Sequence, residues 1–108
     1  MNKYHRSNSK HFFFSYNCIF DDNIHCFDSI LKEIKQYDKD IIYGIIGNGL
    51  NHTYCFINVN KRLQVCNRFF LSLNKDGKEI IPCFYRYSKK SKMIKFIESK
   101  KNVYKYNI

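Results

Sequence analysis

The clearest constraint on the fold is one stripe of apolar residues at helical spacing, set between two segments of β character. Ile24, Phe27, Ile30, Leu31 and Ile34 recur every three or four residues, with Lys32 and Lys35 outside the stripe. Asp21 or Asp22 stands just before it, where a short carboxylate can accept the free backbone N–H groups of a first helical turn. Residues 11–20 are aromatic-rich and read as a strand, and residues 40–46 are β-branched and read as a buried one. A helix held between two strands needs a sheet on which to bury its stripe.

Further along, Gly47-Asn48-Gly49 reads as a turn, since two glycines and an asparagine tolerate positive φ. It leads into a strand over 52–59 that places His52, Tyr54, Phe56 and Asn58 on one face. Residues 62–73 are ambiguous, with a strand end and a short helix expected. Asn74-Lys75-Asp76-Gly77 is a turn and residues 79–87 a strand. Ser88 is placed to cap a last helix reaching about Lys101, with Met93, Phe96 and Ile97 inward, and residues 103–108 are a candidate edge strand. The expected fold is α+β: an antiparallel sheet of about five strands with helices packed mainly on one side, in the ferredoxin-like or RNA-recognition-like manner. The 108 residues suit one domain, with residues 1–10 expected to be flexible. Repeats and low-complexity tracts are absent.

Charge is unevenly divided. Up to Tyr54, six cations balance six acids; from Cys55 on, thirteen cations face only Asp76, Glu79 and Glu98, so the second half carries the whole +10. Such a field attracts a polyanion through counterion release. The alternative is a solubilising lysine surface in a chain rich in Lys, Asn, Ile and Tyr, as an AT-rich viral, plasmid or integrated element would encode. Nine Tyr and ten Phe exceed what a small core needs, and Tyr85, Arg86 and Tyr87 interleave stacking with phosphate-binding chemistry beside Lys89, Lys90, Lys92 and Lys95. Five cysteines, an odd number without a C-x-x-C pair, read as reduced and mostly core-filling, in an intracellular protein of cytoplasm or nucleus rather than a secreted one. A zinc site on His25-Cys26 lacks ligand spacing. No apolar run approaches the roughly 20 residues of a membrane span, so no membrane partner is expected.

Four segments, in order, resemble the N-terminal domain of geminivirus replication initiator proteins, the HUH endonucleases. Phe12-Phe13-Phe14-Ser15-Tyr16-Asn17-Cys18 looks like that family's F-L-T-Y-x-x-C strand. Asn48-Gly49-Leu50-Asn51-His52-Thr53-Tyr54, followed by an apolar strand, is similar to N-G-x-P-H-L-H. Asn67-Arg68-Phe69-Phe70 resembles the N-x-R-F-F segment, and Ile94-Lys95-Phe96-Ile97-Glu98-Ser99 lies where the family has V-K-S-Y-I-x-K.

The resemblance implies DNA nicking: a histidine pair and a carboxylate hold Mg²⁺ or Mn²⁺, a helical tyrosine attacks the phosphate and becomes joined to DNA, and a lysine steadies charge. Carried over residue by residue, most of this is replaced. His52 keeps the first histidine, but Tyr54 stands at the second, and the carboxylate position falls near Gly44, with no Asp or Glu between Asp40 and His52. Phe96 occupies the nucleophile position and Ser99 that of the lysine, with Lys100 beside it. Tyr104 and Tyr106 are possible substitute nucleophiles only if the tail folds back over the sheet. No G-x-x-x-x-G-K-[ST] loop is present, so the ATPase of full-length initiators is not in this chain.

The resulting expectation is a degenerate, replication-initiator-like domain that binds single-stranded or origin DNA without nicking it. Arg62, Asn67, Arg68, Arg86, Lys89, Lys90, Lys92, Lys95 and Lys100 are its candidate DNA contacts. No cofactor is expected, Mg²⁺ or Mn²⁺ entering only with surviving nuclease activity. Besides DNA, an active initiator is a candidate partner. The alternatives are a nickase with a displaced tyrosine, or a protein-interaction module whose lysines only solubilise.

Overall fold

The computed structural model describes residues 6–86 and 89–107, with side chains from residue 10 onward. The elements are β1 (Arg6–Tyr16), α1 (Asn23–Lys35), β2 (Ile41–Asn48), β3 (Thr53–Cys66), β4 (Leu73–Lys75), β5 (Lys78–Ile80), β6 (Cys83–Tyr85), α2 (Lys90–Glu98) and β7 (Lys101–Asn107). Five strands form one antiparallel sheet in the order β6-β1-β3-β2-β7, and β4 and β5 make a separate hairpin. The α+β class with a five-stranded antiparallel sheet and two packed helices is as the sequence predicts. Residues 6–9, within the segment expected to be flexible, pair with the far end of β3, Arg6 opposite Cys66, and the ladder shifts register between Ser9 and His11.

The helices lie on opposite faces, where the sequence reading put them mainly on one. A Cβ on Gly44 would meet the Phe27 ring of α1, whereas one on Gly47 of the same strand would meet Ile97 of α2. Crossover handedness explains the arrangement. From β1 through α1 to β2 the chain moves across the sheet in the same direction as from β6 through α2 to β7. The first pair of strands runs antiparallel to the second. Right-handed crossovers of opposed strand direction must pass over opposite faces.

The α1 face holds the larger core: Phe12, Phe14 and Tyr16 of β1, Cys55, Ile57 and Val59 of β3, and Cys26, Phe27, Ile30 and Ile34 of α1. Asp22 caps α1, its Oδ1 accepting from the His25 N–H at 3.0 Å. The buried stripe is Asn23, Cys26, Phe27, Ile30 and Ile34, so Ile24, expected inside, falls one residue off it and is exposed. In place of the short helix considered for residues 62–73, β3 runs on to Cys66 and a turn brings Phe70 and Leu71 down onto this same core. The β4–β5 hairpin turns through Asp76 and Gly77, whose φ values of 53° and 80° suit a two-residue hairpin turn.

Several boundaries differ from expectation: α2 stops at Glu98 rather than near Lys101, which begins β7, and Asn74 and Lys75 of the expected turn belong to β4. Gly47 and Asn48 belong to β2, and the turn follows them, closed by the Gly49 N–H donating to the His52 carbonyl. The strand expected over 79–87 is divided at Ile81-Pro82, since proline cannot donate to a ladder. The N-cap of α2 is Lys89, without a side-chain cap, and the expected cap Ser88 lies outside the described residues. The tail pairs as an edge strand, Tyr104 opposite Ile46 and Tyr106 opposite Gly44.

All five cysteines are free; Cys26 and Cys55 are buried, but Cys66 and Cys83 are exposed, so core filling describes fewer of them than composition suggested. Burial pushes the Cys55 thiol up and takes Cys26 to about 11, which makes both poor nucleophiles. Among the described residues, no helix is long and apolar enough to cross a membrane.

Candidate nucleic-acid interface

The smaller core, Phe13, Ile45, Phe56 and Ile97, lies under α2. Being only 9 residues long, α2 packs on β2, β3 and β7 and leaves the β1–β6 side of this face uncovered. There a cleft of about 470 Å³ opens, lined by Phe13, Tyr54, Tyr85, Lys92, Met93 and Phe96. Lys92 and Phe96 reach it together because residues four apart share a helix face.

The rings make one connected cluster. Tyr54 meets Phe96 edge-on at 4.9 Å between centroids, and Phe96 meets Phe13 edge-on at 6.2 Å. Phe13 lies 5.1 Å from Tyr85, and His52 stacks on Tyr54 at 5.8 Å. The Tyr85 hydroxyl is fixed by a 2.6 Å hydrogen bond with Ser15 Oγ. Lys100 Nζ lies 4.2 Å from the Phe96 centroid and 5.6 Å from that of Tyr54, close enough for cation–π attraction to both. Thus His52, Tyr54, Phe96 and Lys100, far apart in sequence, are neighbours in space.

A divalent cation does not fit this group. Hard ions take oxygen ligands, carboxylates above all, and here the residues offer one imidazole and one phenol. The Gly44 position faces α1, where a Cβ would lie 2.2 Å from Phe27 Cζ, so it could not aim a ligand at His52. Glu98 of α2 is paired with Lys105 at 2.6 Å. Among the described residues, no three His, Cys, Asp or Glu side chains converge on a metal position. Tyr104 and Tyr106 pack on Phe27, at 5.8 and 6.3 Å, and so lie across the sheet from Phe96. The fold does not bring them to Phe96, where the resemblance implies a nucleophile.

The candidate DNA contacts fall in three places. Arg86, Lys89, Lys90, Lys92 and Lys95 are exposed on or just before α2, and half-buried Lys100 follows it. Their field is felt inside: burial first, then Lys90 and Lys10, hold the His11 imidazole below its usual range. Asn67 and Arg68 belong instead to the turn that covers the α1 core. There Asn67 Oδ1 accepts from the Phe69 N–H at 3.0 Å and the Arg68 guanidinium rests over the Phe69 ring. Arg62 is exposed on the outer arm of β3. Tyr87 lies outside the described residues.

Phe13 was not legible as a cleft residue. In the run Phe12-Phe13-Phe14 every position is equally apolar, and only the pairing of β1 decides that 13 faces α2 while 12 and 14 face α1. No protein-family model and no curated protein matches the chain.

Proposed function

We propose that this chain is a replication-initiator-like domain that binds single-stranded or origin DNA on its α2 face and does not nick it. The observation that carries this reading is the open aromatic cleft that Lys92 lines, with Lys100 over its Phe96 ring, and with no carboxylate among its described lining residues; Arg86, Lys89 and Lys90 are exposed in the segment leading into α2. Rings that a base can stack on, beside cations that follow a phosphate chain, are the two components of single-strand binding. Loss of nicking follows from the donor set: Phe96 has no oxygen for attack, and His52 and Tyr54 do not make a site for Mg²⁺ or Mn²⁺. Such a domain would act in the cytoplasm or nucleus by occupying DNA that an active initiator also uses.

The test is fluorescence anisotropy of a labelled single-stranded oligonucleotide across a salt titration. Binding should weaken with a log–log slope of about −0.7 per phosphate engaged. A chain that ignores the oligonucleotide at low salt is not a DNA-binding domain.

A further inference from the structure

We infer that the cleft between β6 and α2 takes one unpaired base of the bound strand, so that the domain reads bases as well as phosphates. The inference rests on the single-strand reading above and specifies how the strand sits. Tyr85 and Phe96 rise from opposite walls, one from a strand and one from a helix, and each keeps 39% of its surface exposed. Phe13, 9% exposed, forms the floor between them and touches both rings. Beyond these contacts, the surface that both rings leave open at a concave site is available to an inserted planar ligand.

The polar groups select the kind of ring. Among the described residues, Lys92 is the one charged residue lining the cleft, and it can only donate. The Tyr85 hydroxyl, held by Ser15 Oγ, keeps one further hydrogen-bonding capacity beside it. A base carrying carbonyl oxygens at its edge, such as thymine, meets these conditions, with its ring between Tyr85 and Phe96 and an oxygen toward Lys92 Nζ. Lys100, held over Phe96, is then placed for an adjoining phosphate. Duplex DNA cannot enter in this way, because its bases are already stacked and paired.

The experiment compares oligothymidylate with an abasic deoxyribose-phosphate chain of equal length, by anisotropy at one salt concentration. Oligothymidylate should bind about tenfold tighter, the gain expected of one stacked base. Phe96→Ala should abolish the difference in affinity between the two chains. The protein contains no tryptophan, so Phe96→Trp provides a single reporter that opens no void. Its fluorescence should be quenched by oligothymidylate and not by the abasic chain. Equal affinities with no quenching would overturn the base site while leaving phosphate binding in place. Binding of neither chain would remove the DNA-binding reading and the base site with it.

Discussion

Leu71 shows how single residues fix this fold. Its φ of 62° is in the left-handed region, uncommon for a residue with a large side chain. Three interactions hold it there: its side chain is fully buried, its N–H donates to Glu33 Oε2 at 2.8 Å, and its carbonyl accepts from the Tyr16 hydroxyl at 2.5 Å. Tyr16→Phe should therefore cost about 1–3 kcal/mol in urea unfolding, because it leaves a buried carbonyl unsatisfied. Gly44 makes the same point through space rather than hydrogen bonding. With Phe27 Cζ 2.2 Å from its absent Cβ, Gly44→Ala must displace a fully buried ring. Overpacking of this kind costs about 1–3 kcal/mol, and the midpoint of unfolding should fall accordingly.

Between elements, Glu33 ties α1 to the turn before β4. Burial raises its carboxyl above the ordinary range; the Leu71 N–H opposes this and the charge of Glu79 adds to it. A raised carboxyl favours folding at low pH, and the advantage is lost as pH rises through the folded-state value. Glu33→Gln keeps an acceptor for Leu71 without the buried charge. Across the interval above the usual carboxylate range, the stability of the variant relative to wild type should thus rise with pH, as read from unfolding curves at several pH values. On the other face, α2 brings Phe96 to where the resemblance implies a nucleophile, and a phenyl ring cannot attack phosphorus. Incubation with single-stranded DNA and Mn²⁺ should leave no covalent protein–DNA adduct on a denaturing gel.

At the scale of the whole molecule, one run of cations is concentrated at α2. The cations from Arg86 to Lys100 gather around α2, whereas Arg68 belongs to the turn over the α1 core. Reversing charge on the α2 side, as in Lys92→Glu or Lys100→Glu, should weaken oligonucleotide binding and make the salt slope shallower, by about 0.7 for each phosphate no longer neutralised. Arg68→Ala should alter neither quantity. Equal effects of Lys92→Glu and Arg68→Ala would mean that overall charge, and not the cleft face, drives association. The two-faced arrangement itself follows from right-handed crossovers, which leave one face for a large core and the other half open.

Periodicity and charge were enough to reveal the α1 helix with a cap at Asp21 or Asp22, a turn within Asn74-Lys75-Asp76-Gly77, the edge strand after α2 and the basic second half. These are local signals: helical spacing, φ-tolerant turn residues and an excess of like charge survive without knowledge of neighbours. Tertiary structure alone decided which of Phe12, Phe13 and Phe14 faces the cleft, that Gly47 and Asn48 extend β2, and that Tyr104 and Tyr106 lie across the sheet from Phe96. It also decided that Arg68 and Lys92 serve different faces. Each of these depends on strand register or on the side by which a crossover passes. A one-residue change of register exchanges the faces of a strand without changing its composition, so the sequence near those residues carries no mark of the outcome.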